Sequence, residues 1–260
     1  MRQTAIFHGG NVMKKFLKPM YLPYCTLILG ILSFLCMYWL YATGLDERML
    51  LDPLHPGAIL TWLLTAVMIA AVILLSRPLT GKMRYERVFP GSLAGAIGTG
   101  ISAVGIAITA YGELTAGSDR IVALGGWLGL LSAVSLLYLS FCRYAQIRPL
   151  FFARSAVLLY LMLHLLCRYR VWSAEPELLR YGFELAATVC FLLACYNRLA
   201  IEDGMFQRRS YLCFSMLGTY FAMAALPGAS DRVFLITMAV WAMTDLCSLR
   251  SRRPRMQEDV

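Results

Sequence analysis

Eight apolar runs govern what this chain can fold into: 22–43, 57–76, 91–112, 121–141, 150–168, 178–198, 211–227 and 232–249. A helix of about 20 residues rises roughly 30 Å, the thickness of the hydrocarbon core of a bilayer. Runs of this length, separated by short connections, predict an all-α polytopic integral membrane bundle of about eight transmembrane helices. Charge content agrees, because only 15% of the residues are charged, whereas a soluble domain keeps about a quarter. The expected organisation is a basic N-terminal segment over 1–20, one eight-span transmembrane domain over 21–249, and a basic tail over 250–260. The first run is too long for a signal-peptide core and reads as an uncleaved first span. Met13-Lys14-Lys15 resembles a second translation start beside Met1.

The ten prolines, Pro19, Pro23, Pro53, Pro56, Pro78, Pro90, Pro149, Pro176, Pro227 and Pro254, fall in connections or near span ends. Proline removes a backbone donor and clashes inside a helix, so this spacing predicts unbroken spans. Broken helices often mark a transporter's midplane site, and their absence weakens that reading.

Basic residues set the expected orientation. With the N-terminus in the cytoplasm, 18 of the 24 basic residues lie on the cytoplasmic side. They are Arg2, Lys14, Lys15 and Lys18; Arg77, Lys82, Arg84 and Arg87; Arg143, Arg148 and Arg154; Arg198, Arg208 and Arg209; and Arg250, Arg252, Arg253 and Arg255. Arg48, Arg120, Arg168, Arg170, Arg180 and Arg232 remain outside. Basic tails on both ends require an even number of spans, hence both termini inside, in a bacterial-type inner or cytoplasmic membrane. The net charge of +9 is thus a topology signal. Without a basic stripe interleaved with aromatics, nucleic acid is not an expected partner.

The third run contains a stripe of small residues, Gly91, Gly95, Gly98, Ser102, Gly105, Thr109 and Gly112, at alternating steps of four and three. That spacing puts them on one helix face. Lipid offers no hydrophobic drive for helices to associate, and small stripes let backbones approach. Gly125, Gly129 and Ser132 of the fourth run form the matching candidate, so a tight hairpin of spans three and four is expected. The functional alternative is that span three unwinds around a ligand or slides as a gate.

Ionisable residues inside a membrane are functional hypotheses by default. Tyr160, His164 and Arg168 share one face of span five. Glu177, Tyr181, Glu184 and Thr188 share one face of span six. Both stripes are expected in the outer half of the bilayer, where Tyr160, His164, Arg168, Tyr181 and Glu184 form a candidate ligand-binding or polar network. The alternatives are an anionic or zwitterionic ligand site, a proton relay, a pH sensor, or an interfacial ion pair. Asp245 near the cytoplasmic end of span eight is expected to pair with Arg198 or Arg250. Tyr196 and Asn197 are expected at the interface. Ser173 before Glu175-Pro176-Glu177 reads as the cap of a helix start.

The eight cysteines lie in or beside apolar runs with no Cys-x-x-Cys pair, and are expected to be free thiols. The three histidines, His8, His55 and His164, are scattered. No zinc motif, nucleophile elbow or phosphate loop is present. No catalytic residue, metal site or cofactor is therefore expected. The sequence points to a non-catalytic membrane subunit, sensor or assembly component. A small permease with its site in spans five and six is the alternative. The bilayer is the evident partner, with another membrane protein or a second copy of the chain beside it.

Overall fold

The structure is a computed structural model that describes residues 21–45, 51–76, 92–116, 120–173, 178–203 and 208–248. Both predicted terminal segments lie outside these residues, as do Gly91, Glu177, Arg250 and the two candidate start positions.

Eight helices occupy the described residues: α1 (Tyr21–Thr43), α2 (Pro56–Ser76), α3 (Leu93–Ala116), α4 (Arg120–Ala145), α5 (Phe151–Trp172), α6 (Leu178–Glu202), α7 (Arg208–Ala225) and α8 (Arg232–Ser248). The predicted all-helical membrane bundle is found, and each helix matches one apolar run to within a few residues at its ends. Strand pairing among the described residues is limited to a single bridge, Leu45 to Leu51. Six helices, α1 to α6, are long and apolar enough to cross a membrane.

The other two, α7 and α8, are the shortest, at 18 and 17 residues. They pack in the middle, α8 against α3, α7, α6 and α1, and α7 against α6, α1, α8 and α2. The large apolar side chains left exposed come mainly from α1 to α5; α7 supplies none and α8 only Val233 and Ile236. A helix surrounded by protein need not be apolar all round, and Asp245 of α8 is buried there.

Local rules account for the helix ends and their polar content. Pro56 opens α2, where its missing N–H costs nothing. Helix α4 closes with Gln146 at φ 57° and Ile147 N–H donating to the Cys142 carbonyl at 3.0 Å. That is a left-handed cap in which glycine is usual. Within the helices, Thr61, Thr65, Thr99, Ser102, Thr109, Ser135, Thr188 and Thr219 donate their hydroxyls to the carbonyl four residues back. A hydroxyl satisfied inside its own helix adds little cost in an apolar environment.

Helices α3 and α4 form the most extensive pair in the bundle. The small stripe of α3, however, divides between neighbours. Cβ atoms on Gly98 and Gly105 would overlap Thr244 and Thr237 of α8, and Ser102 donates to the Thr237 carbonyl at 3.2 Å. The centre of the stripe therefore lets α8, not α4, approach. Gly95 makes room for the Arg143 guanidinium of α4. At the far end, Thr109 and Gly112 face a cleft. The α4 side of the hairpin is built from other small residues: Gly129 lies against Ala110 and Tyr160, Gly126 against Leu114, and Ser140 donates to the Ala96 carbonyl at 2.6 Å. Gly125 lies beside Glu113.

Ser173 corrects its expectation. It is the C-cap of α5, its N–H donating to the Tyr169 carbonyl and its hydroxyl to the Arg170 carbonyl. Its acidic neighbours Glu175 and Glu177 lie outside the described residues.

Candidate functional site

Polar side chains gather at the two opposite ends of the bundle. At the first, α3 and α5 are finishing, α6 is beginning, and the short α7–α8 connection crosses. Glu113 comes from α3, Tyr160, His164 and Arg168 from α5, Glu184 from α6, and Ser230 and Asp231 from the connection. Asp231 is held there by a local job. Its Oδ1 accepts the Phe234 N–H at 3.1 Å, which caps α8.

The expected members come together, but through intermediaries. His164 Nδ1 lies 2.9 Å from Glu113 Oε1. Arg168 Nη2 donates to Asp231 Oδ2 at 2.9 Å and Nη1 makes a long contact of 3.5 Å with the Ser230 hydroxyl. Glu184 accepts from the Ser230 hydroxyl at 2.9 Å and from the Ser230 N–H at 3.2 Å. So His164 and Glu184 do not touch: His164 has taken Glu113 as its partner, and Glu184 has taken Ser230. Tyr181 stacks on Trp172 with ring centroids 6.1 Å apart. The His164 ring stacks on Phe234 at 4.1 Å. His164 is 2% exposed, Glu184 4% and Tyr160 0%.

Beside these groups lies a cleft of about 370 Å³. Glu113, Arg168, Ser230 and Asp231 supply its polar wall, and Ile108, Val122 and Val233 part of its apolar wall. A concave apolar surface with a few convergent polar groups is the usual form of a small-molecule site.

At the opposite end, Asp245 of α8 is 1% exposed. It pairs with Arg198 of α6, as expected, and also with Arg143 of α4, while Tyr211 donates to its Oδ2 at 2.8 Å. Arg143 also reaches the Ser248 hydroxyl. Arg198 lies over the Trp241 ring, 5.1 Å from its centroid. Asn197 corrects its expectation: it is buried, its side-chain amide donating to the Leu193 carbonyl at 2.7 Å, whereas Tyr196 is exposed. All eight cysteines are free thiols.

The sequence pattern missed Glu113, Ser230 and Asp231 at the first end, and Arg143 and Tyr211 at the second. A signal existed for one of them. Ser230-Asp231 immediately before an apolar run is a helix-start signature. Glu113 had no such mark, because it falls one residue past the apolar run of span three.

No known family model, curated protein or solved structure matches the chain.

Proposed function

We propose that this chain is a non-catalytic multi-pass protein of the cytoplasmic membrane, a sensor or subunit that recognises its ligand in the cleft beside Arg168. In this reading all eight helices cross the membrane, so both ends lie on the cytoplasmic side and the cleft on the outer side. The basic-residue asymmetry supports that orientation, and the exposed apolar belt of α1 to α5 supports lipid as the surrounding medium.

The observation that carries the reading is the contrast between an open polar cleft and a filled interior. Between the two polar ends the core is packed with Tyr160, Phe191, Leu235 and Met238. Cavities beside Arg198 and Trp241 measure about 20 Å³, room for about one water. A site that opens at one end and stops at packed aromatics suits recognition better than passage, which favours the sensor over the permease.

The test is complementation of a deletion strain. Arg168→Ala, produced at wild-type level, is expected to fail where lipid-facing Val134→Ala succeeds. Full complementation by Arg168→Ala would overturn the reading. Solute uptake that depends on this chain and is lost in Glu184→Gln would favour the permease instead. A reporter fused after Val260 is expected to be active only in the cytoplasm.

A further inference from the structure

We infer that Glu113, His164 and Asp231 bind a divalent transition-metal ion at the base of the cleft, which rests on reading the cleft as a recognition site. One donor atom from each residue lies within 4.8 Å of the others. The three come from α3, α5 and the α7–α8 connection.

Four observations point to a cation. First, the donors are already close to binding distances. Two atoms each about 2.1 Å from one ion lie roughly 3.0–3.4 Å apart, depending on the angle between the bonds. His164 Nδ1 and Glu113 Oε1 are 2.9 Å apart, so this pair can share an ion almost without moving. A separation of 4.8 Å has to close by about 1.4–1.8 Å, a movement within reach of side-chain rotation.

Second, the cluster holds polar atoms that have no use in the protein alone. Glu113 Oε2 is buried without a hydrogen-bond partner. The Tyr160 hydroxyl is equally buried and unpartnered, on a side chain with no exposed surface, and it lies in the field of both Glu113 and Asp231. Buried polar atoms in native proteins are almost always satisfied, and each exception calls for a missing partner. An ion with its bound water supplies one.

Third, carboxylates gather here: Glu113, Asp231 and Glu184 converge at this end, with Arg168 on Asp231. Carboxylates gathered together are costly in a low-dielectric setting, and a divalent ion offsets two of them.

Fourth, Asp231 is oriented for the task. Each of its oxygens has one lone pair engaged, Oδ2 by Arg168 and Oδ1 by the Phe234 amide, which leaves one lone pair on each. Groups that hold a ligating carboxylate in this way are a usual feature of metal sites.

The donor set selects the metal class. One imidazole with two carboxylates suits zinc, manganese or ferrous iron, whereas magnesium and calcium prefer oxygen alone. The cleft provides the entry path and space for water on the open side of the ion.

Zinc is the probe. The full chain, purified in mild detergent and stripped with chelator, is expected to take up one zinc ion per chain by mass spectrometric metal analysis after desalting. His164→Ala and Glu113→Gln are each expected to weaken zinc at least about 100-fold, and His55→Ala to leave it unchanged. Should those variants fail to fold, a second measurement uses the wild type alone. Zinc, but not magnesium, is expected to shift the ring-nitrogen resonances of His164 in protein labelled with nitrogen-15 at histidine. Uptake below half an ion per chain, unchanged affinity in a folded His164→Ala variant, or unshifted His164 resonances would each overturn the proposal. If zinc fails to bind while Arg168→Ala still loses function in cells, the metal proposal alone falls and the cleft takes another ligand. If zinc binds and Arg168→Ala complements fully, the metal site stands and the recognition reading falls.

Discussion

The two polar ends of the bundle use similar residue types in opposite ways. At the Asp245 end, one carboxylate is surrounded by two guanidiniums and a phenol, and the neighbouring cavities hold about one water. At the Glu113–His164 end, three carboxylates gather, Asp231 with Arg168 on it, and a cleft of about 370 Å³ opens beside them. The first end is a closed clamp between α4, α6, α7 and α8. The second is a polar network that opens on the cleft. Burial and ionisable side chains are common to both, so neither distinguishes structure from function here. Access from outside does, through the cleft beside Arg168.

The comparison breaks most visibly at the clamp. Asp245→Ala removes the carboxylate that Arg143 and Arg198 share. Removing one member of a buried ion pair costs about 3–5 kcal/mol. The variant is expected to lose most of its folded yield in detergent, and a melting curve equal to wild type would show that the clamp is not structural. The next largest effect belongs to the stripe between the two ends. Gly105→Leu drives a side chain into Thr237 of α8, and overpacking costs about 1–3 kcal/mol. Gly112→Leu, with nothing within 4 Å of its Cβ, is expected to melt like wild type. Equal melting of both variants would refute close approach of α3 and α8.

Two double-mutant cycles sharpen the open end. His164→Ala with Glu113→Gln should be non-additive by about 1 kcal/mol, because residues in contact couple. His164→Ala with Glu184→Gln should add within about 0.5 kcal/mol, because no direct contact joins them. Coupling in the second cycle larger than in the first would mean that the two histidine–carboxylate assignments are exchanged. The smallest expected effect is none: mass spectrometry of the unreduced protein should find eight free thiols, and a native disulfide would contradict the helix positions of the cysteines.

Much of the fold was legible in the sequence, and for a definite reason. Hydrophobic length is a one-dimensional property: a bilayer demands about 20 apolar residues per crossing, so each helix announces itself without reference to the others. The same holds for the faces of single helices. Tyr160, His164 and Arg168 sit at helical spacing, and that alone placed them on one side of α5. Asp245 was expected beside Arg198 or Arg250 because all three stood at the same end of their runs, and Arg198 is a partner.

What only the tertiary structure decided is which helix each face meets. The stripe of α3 was matched to α4 because the two are consecutive, yet its centre meets α8, which lies 132 residues on from Gly105 to Thr237. Small residues say that something approaches, and carry no mark of what. His164 had two carboxylates within reach of its end of the bundle, Glu184 on the next helix and Glu113 on a helix two earlier, and packing gave it Glu113. The triad of Glu113, His164 and Asp231 has no motif spacing because its residues come from three segments that meet only when the bundle closes. Spacing along a chain can encode a site held on one helix or one loop; a site shared between helices exists only in their packing.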